Sequence, residues 1–182
     1  MSIHPPVTAA TLAAPAFLTA WRRLDLGAMP LVLHVPGPPA PWSDLVAAGL
    51  ARATALDPWL AGACALLAAP PRSVDLRLGY GSTAVRALAA PSGPGALRAV
   101  LADRSVTLVE LPSPDLPAAL VDLLPAHDPG RVGAPGLSGR IGAAALDPDG
   151  RRRRAGDVVD FHGPVHADVL LARATALLSG LA

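Results

Sequence analysis

The sequence contains no lysine, no asparagine and no glutamine, and Glu110 is its only glutamate. Its 15 cationic residues are therefore all arginines. This composition is typical of coding bias in a very GC-rich genome, so the numbers of arginine, alanine and proline are weak signals of function. The absence of amide side chains also removes groups that form adaptable hydrogen bonds in many polar sites.

Charged residues are scarce as well: they make up 16% of the 182 residues, against 52% hydrophobic residues. The net charge is only +1 at pH 7. High apolar content at low net charge argues against a generally disordered chain. Near-neutrality excludes a strongly basic nucleic-acid scaffold and an acidic tail protein. A chain of this length forms one domain, or one domain with a small appendage, and needs no disulfide or metal to be stable.

Cysteine is nearly absent, because Cys64 has no second cysteine with which to pair. This usage favours a reducing cytoplasm. Residues 1–6 carry no basic segment ahead of an apolar stretch, so we predict no signal peptide. The most apolar region, residues 45–69, is interrupted by Arg52 and Asp57 and offers no run of about 18 apolar residues. We therefore expect a cytoplasmic protein without membrane insertion.

The spacing of apolar residues predicts an α+β fold over residues 1–125. Between residues 73 and 111, apolar and polar positions alternate in four segments, and connections this short require antiparallel neighbours. Residues 29–35 predict a further, N-terminal strand, and the first ten residues are predicted to be loose. Helices are predicted over residues 15–24, 43–56, 58–69 and 114–124. We expect an antiparallel sheet, a four-stranded meander plus the N-terminal strand, flanked by helices.

The composition changes after residue 125. Residues 126–163 are rich in Gly, Pro, Asp and Arg, which predicts a linker or irregular region, within which residues 138–146 are compatible with a short helix. Residues 164–182 predict a C-terminal helix. The leucines of this helix need a surface to cover them.

Two motifs near the C-terminus could bind ligands. His162 and His166 are four residues apart, a spacing that lets two histidines on one helix share a metal, but Gly163-Pro164 separates them. Solvated histidines at a helix start are the favoured interpretation. The four arginines of residues 151–154 could contact phosphates. Neighbouring aspartates cancel most of their field and stacking aromatics are missing, so a solvated linker is favoured over a binding arm.

The candidate catalytic motifs are incomplete. The glycines at 79 and 81 lie in a hairpin turn, whereas a dinucleotide fingerprint leads into a helix, and the lysine of a phosphate-binding loop is absent from the chain. Ser138 lacks the closing glycine and the preceding strand of a nucleophile elbow. Cys64 lies in an apolar helix stripe, which is typical of a small core residue.

Three further polar residues lack partners in the sequence pattern. His34 has no evident acid or nucleophile beside it, and Asp75 and Arg77 mark the solvent face of a strand rather than a catalytic pair. We therefore predict no catalytic residue, no metal site, no cofactor and no nucleic-acid partner.

Several phrases of the sequence occur in a familiar order. They are FLTAW at 17–21, PLVLHVP at 30–36, LDPWL at 56–60, PRSVDLRL at 71–78, VRALAA at 85–90, SVTL at 105–108, AALVDLLP at 118–125 and PG at 129–130. In this order they resemble the EspG family of ESX (type VII) secretion-associated proteins of actinobacteria. The resemblance extends over about residues 15–146.

The resemblance implies a cytosolic chaperone that binds PE/PPE-like secretion substrates, shields an apolar tip on a helical partner and keeps it soluble. It also implies an α+β fold with an antiparallel sheet flanked by helices and a pseudo-twofold relation between halves, with no cofactor and no catalysis. The resemblance also implies a longer chain, with a second run of strands and a strand at the C-terminal end. In this sequence, residues 164–181 predict a helix at that place instead.

Two segments are candidates for partner binding. The resemblance points to the strand-connecting turn Tyr80, Gly81, Ser82 and Thr83. The second candidate is the set of leucines on the last helix, for which packing onto the domain is the favoured alternative: Leu170, Leu171, Leu177 and Leu178. A half-covered sheet would leave an exposed face or edge for a partner.

Two other function classes remain open. A structural domain that has lost client binding could self-associate through the uncovered sheet, for example as a homodimer. An unrecognised enzyme would require a pocket in which His34, Asp75 or Ser138 converge.

Overall fold

The computed structural model of the protein describes residues 9–182. The predictions for residues 1–8, a loose N-terminus without a signal peptide, lie outside the described residues. Within them, no helix combines the length and hydropathy needed to cross a membrane.

The described chain alternates helices with antiparallel strands. The helices are α1 (Ala14–Arg23), α2 (Trp42–Ala47), α3 (Pro58–Ala68), α4 (Leu116–Val121) and α5 (Ala167–Ser179), with a 3₁₀ helix at Leu31–Leu33. The first seven strands are β1 (Ala9–Ala13), β2 (Ala51–Arg52), β3 (Ala55–Leu56), β4 (Arg72–Tyr80), β5 (Thr83–Ser92), β6 (Gly95–Ala102) and β7 (Ser105–Leu111). The others are β8 (Arg131–Val132), β9 (Ser138–Leu146), β10 (Arg152–Arg154), β11 (Val159–His162) and β12 (Val165–His166).

The main sheet has the strand order β1-β7-β6-β5-β4-β9-β10, and β11 pairs with β9 beside β10. Two-residue turns join the strands of the predicted meander, β4 to β7. In the β6–β7 turn, Asp103 and Arg104 both have positive φ, at 48° and 60°, as a type I′ hairpin turn requires. The predicted α+β fold, an antiparallel sheet flanked by helices, is confirmed.

Helices pack on both faces of this sheet, so it is not half-covered. Strand β5 shows the division: Leu88 packs with α1, α3 and the 3₁₀ helix, whereas Ala87 and Ala89 pack with α4 and α5. Each layer buries its own cluster of apolar side chains against one face of the sheet. Among residues 9–182, the surfaces of the sheet left for a partner are therefore its ends, its edge strands and the margins of the helical layers.

Two tryptophans in the layer of α1, α2 and α3 form hydrogen bonds with neighbouring segments. Trp59 on α3 donates from its indole nitrogen to Oε1 of Glu110 on β7 at 3.1 Å, so the only glutamate of the chain ties a helix to the sheet. Trp21 on α1 donates to the carbonyl of Gly27 at 2.9 Å. The start of α3 follows the prediction, because the Asp57 carboxylate accepts from the amide of Trp59.

The predicted strand over residues 29–35 is wrong. This segment forms the 3₁₀ helix, because Pro30 and Pro36 flank it and a proline cannot donate to a β-ladder. The apolar alternation of Leu31, Leu33 and Val35 does not mark one buried face, since Leu31 is 71% exposed. The N-terminal strand of the sheet is instead β1, which begins within the first ten residues and pairs with β7.

The helix predicted over residues 43–56 also ends early. Helix α2 stops at Ala47, Gly49 adopts a φ of +72°, and β2 and β3 form a small hairpin before α3. A glycine in the left-handed region commonly ends a helix, so this glycine marks the break that the apolar spacing concealed.

Residues 126–163 are not a linker, and residues 138–146 are not a helix. Residues 138–146 form β9, which pairs with β4 along eight residues and with β10 and β11 on its other side. Strands β8 to β12 thus form a second run of strands. The C-terminal helix is confirmed as α5, three residues later than its predicted start.

Small residues allow β9 to occupy this position. Gly139 faces the ring of Phe161 on β11 so closely that a Cβ would overlap it. At Gly142, a Cβ would lie 3.1 Å from Oδ2 of Asp75 and 3.3 Å from a guanidinium nitrogen of Arg154. The glycines that made the segment resemble a loop are therefore required by its packing.

We predict that Gly139→Ala destabilises the protein by about 1–3 kcal/mol, because the added methyl group collides with the buried Phe161 ring. Urea unfolding measures the change. Gly62→Ala on α3 is the control, since it meets no atom within 4 Å. We expect it to stabilise the helix by about 0.5–1 kcal/mol. Equal stability of Gly139→Ala and wild type would contradict the packing described.

Candidate partner-binding surface

The turn between β4 and β5 projects from one end of the sheet. Tyr80 and Thr83 form its closing pair, and Gly81 has a φ of +58°, which suits the first central residue of a type II′ turn. Tyr80, Gly81, Ser82 and Thr83 are all exposed. The structure therefore places this predicted candidate in solvent on a short, rigid connection.

Tyr80 gives the turn an exposed aromatic side chain. Its strand position continues the alternation of Leu76 and Leu78, so it belongs to the face that α4 and α5 cover. The side chain is 54% exposed, and no described residue hydrogen-bonds its hydroxyl. The ring edge lies 3.9 Å from the position of a Cβ on Gly136, so the segment before β9 supports one side of the ring. An exposed tyrosine supported in this way is suited to contact a protein surface.

A cavity of about 350 Å³ opens near this end of the sheet, on the face opposite Tyr80. Its lining is mainly apolar and comes from α1, the segment after the 3₁₀ helix, β5 and the β6–β7 turn. The lining residues are Ala14, Pro15, Val35, Pro36, Ala84, Arg86, Leu101, Ala102, Asp103 and Arg104. No sequence pattern indicates this cavity, since its residues are far apart in the chain and only the fold brings them together.

The leucines of α5, the second candidate for partner binding, pack mainly in the core. Leu170 is only 2% exposed and packs with Phe161 and Leu120 in the cluster beneath α4 and α5. Leu171, Leu177 and Leu178 are half-buried against the same cluster. Packing onto the domain was the favoured alternative for these leucines, and Leu170 is inaccessible to a partner unless α5 detaches.

The residues that an enzyme would have required do not converge. Asp75 lies under the 3₁₀ helix, while Ser138 lines a different cleft with Gly79. The register pairs Asp75 with Gly142 and Ser138 with Gly79, so the two are four strand positions, about 13 Å, apart. His34 lines neither cavity. A nucleophile, base and acid therefore do not meet among these residues.

Asp75 is not a solvent-face residue as predicted. It is 3% exposed, and Arg154 on β10 pairs with its carboxylate at 3.2 Å. Arg152, on the same side of β10, lies 3.5 Å from the hydroxyl of Ser73. Burial lowers the pKa of Arg152, an effect that Asp75 opposes. Two of the four consecutive arginines thus hold β10 to the polar side of β4, which a solvated linker would not do.

The described residues contain no group of three or more potential metal ligands. His162 ends β11 and His166 lies on β12, so the two histidines do not share a helix. Cys64 is fully buried on α3, and burial raises the pKa of its thiol from 9.0 to about 12. A thiol in this state is a poor nucleophile at neutral pH.

Comparison with known proteins gives a consistent result. The sequence model of the EspG family matches residues 13–135. No curated protein matches the chain. Among solved structures, the chain is similar to the Mycobacterium tuberculosis type VII secretion system chaperone EspG5, solved in complex with a PE25-PPE41 dimer. The TM-score is 0.72 at 13% sequence identity, covering 96% of this chain and 97% of that chain, so the likeness concerns the fold.

We predict that the Cys64 thiol does not react with a disulfide reagent at pH 8 in the native protein and reacts fully in denaturant. A pKa raised from 9.0 to about 12 leaves about a thousandfold less thiolate. Absorbance of the released thiol measures the reaction. The folded state also retains a proton that the unfolded state loses between pH 9 and about 12, so this group lowers stability as the pH rises through that window. Rapid native labelling would contradict the burial of Cys64.

Proposed function

The chain belongs to the EspG family, and from that membership we propose that it is a chaperone of type VII secretion. In this role it binds PE/PPE-like substrates in the cytoplasm and keeps them soluble before export. The observation that carries the proposal is the family match over residues 13–135. The similarity of its fold to a chaperone solved with a PE25-PPE41 dimer supports it.

We place client binding at the end of the sheet that carries the β4–β5 turn. Tyr80 offers an aromatic contact there, and the turn has exposed backbone on either side of Gly81. The apolar cavity beside Ala84 can accept one or two aliphatic side chains from a helical tip. Burial of an apolar tip on such a surface contributes about 25 cal/mol per Å² of buried apolar area to the free energy of binding. The complex is therefore favoured over the free substrate.

Catalysis forms no part of the proposal. The candidate nucleophiles and bases lie apart, and Cys64 is buried with a raised pKa. Binding through apolar surface and main chain requires no cofactor and no proton transfer. Such a binder depends on the shape of its surface rather than on reactive groups.

Co-expression with PE/PPE pairs encoded in the same genome tests the function. We expect the pair to become soluble and to co-purify with the untagged chain in an equimolar complex, because the chaperone covers apolar surface that otherwise aggregates. Size-exclusion chromatography with light scattering measures the complex. If every pair stays insoluble and none co-purifies, the proposed function is wrong.

A pair of variants tests the surface. We expect Tyr80→Ser to weaken client binding at least about tenfold, as truncation of a central interface tyrosine commonly does. Val46→Ser on α2, where the valine is 43% exposed, is the matched control and should bind like wild type. Dissociation of the purified complex on serial dilution, followed by fluorescence anisotropy of a labelled client, measures both. If wild type binds and Tyr80→Ser binds equally well, the function stands and the assigned surface is wrong.

A further inference from the structure

Three arginines form a row across neighbouring strands of the sheet. Arg77 on β4 is the register partner of Arg86 on β5 and of Arg140 on β9. Arg140 in turn faces Asp160 on β11. Directly opposed residues on antiparallel strands have Cα atoms about 4.5–5.5 Å apart, so the Cα atoms of the three arginines span about 10 Å.

The row lies on the side of the sheet that carries α1, α2 and α3. Arg86 pairs with Leu101, which belongs to the cluster beneath those helices. The helices do not extend over the row, however, because Arg77 and Arg140 are exposed and Arg86 is half-buried. Tyr80 belongs to the opposite face, so the arginine row (Arg86, Arg77 and Arg140) is separate from the Tyr80 contact. It meets the surface assigned to client binding only at Arg86, which also lines the apolar cavity.

The charges of the row are only partly balanced within the chain. The Asp160 carboxylate accepts two hydrogen bonds from Arg140, at 2.7 and 3.1 Å. These hydrogen bonds are the main cause of the lowered pKa of Asp160. Arg86 donates a single hydrogen bond, to the carbonyl of His34 at 3.3 Å. Arg77 has neither an ion pair nor a side-chain hydrogen bond with any described residue. Two positive charges therefore remain, in a chain whose net charge is only +1.

Such an arrangement has an energetic cost for the free protein. Like charges directly opposite one another on a sheet are destabilising, and any β-branched polar residue would suit an exposed strand position. Coding bias accounts for arginine in place of lysine, but it does not account for three arginines facing each other across adjacent strands. A bound anion would remove the repulsion and use the planar donors in pairs.

We propose that the arginine row binds an acidic segment of a protein partner through at least two carboxylates. Arg77 and Arg86 each have free donors for a two-pronged contact with a carboxylate. Their spacing of about 4.5–5.5 Å is close to that of acidic residues one helical turn apart, about 5–6 Å. A nucleic acid fits less well, because the row offers no aromatic platform and is too short to follow a phosphate backbone.

The neighbourhood of the row shapes this contact. A shallow cleft of about 420 Å³ lies between Arg77 and Arg140, with His162 at its rim. Arg86 reaches the apolar cavity that Asp103 also lines. An acidic segment would thus run from this cleft, where Arg140 neutralises Asp160, toward the β6–β7 turn.

Fluorescence anisotropy with defined peptides tests the proposal. The probe is a labelled eight-residue peptide with four glutamates, and its reference has glutamine at each of those positions. We expect the glutamate peptide to bind and the glutamine peptide not to bind in 50 mM NaCl. The affinity should fall as salt is raised, because exposed charges are screened over about 8–10 Å at physiological ionic strength.

Two double variants with the same change in net charge separate the site from a general effect of charge. R77Q/R86Q should lose at least about tenfold in affinity for the glutamate peptide. R22Q/R52Q, which alters two exposed arginines outside the row, should bind like wild type. The melting temperature of R77Q/R86Q should equal or exceed that of wild type, since like-charge repulsion is removed.

Three results would overturn the proposal. The first is that wild type fails to bind the glutamate peptide. The second is that both double variants lose affinity equally. The third is that a single-stranded oligonucleotide of equal charge binds the row more tightly than the peptide. None of these results bears on co-purification with PE/PPE pairs, so the two proposals fail separately.

Discussion

The fold depends on the close approach of β9 to β4 and β11, which glycine at positions 139 and 142 of β9 permits. Gly139 leaves room for the Phe161 ring, and Gly142 leaves room for the ion pair of Asp75 and Arg154. A side chain at position 139 would overlap the Phe161 ring and push β11 away from β9. The layer formed by α4 and α5 would then lose Val159 and Phe161 from its core. The absence of side chains at Gly139 and Gly142 therefore allows the second half of the chain to join the sheet.

Because both faces of the sheet are covered, the surfaces left for binding are small and differ in chemistry. The end that carries Tyr80 is aromatic and apolar, with an adjoining cavity. The arginine row lies on the other face and is cationic, with Arg77 unpaired among the described residues. The two surfaces meet at Arg86, which belongs to the row and also lines the apolar cavity.

The sequence was most informative where periodicity and turn chemistry agree. The meander from β4 to β7 and the start of α3 at Asp57 could be predicted, since alternation and a capping aspartate are local signals. The strand over residues 29–35 was wrong because its flanking prolines outweigh its apolar alternation. Strand β9 was missed because its glycines, which packing requires, are also the residues of loops. The exposed turn at Tyr80 was found through the family resemblance, whereas the arginine row depends on register, which the sequence does not display.

The distribution of tryptophan has a consequence for anyone who measures the stability of this protein. Trp21, Trp42 and Trp59 all belong to the layer of α1, α2 and α3, and they are the only tryptophans of the chain. The layer of α4 and α5 contains none. Tryptophan emission therefore reports on one side of the sheet alone, and the side that Leu170 and Phe161 stabilise is optically silent. Agreement between emission and far-ultraviolet circular dichroism would show that the two layers unfold together, and divergence would show that the sheet can lose one cover while it keeps the other.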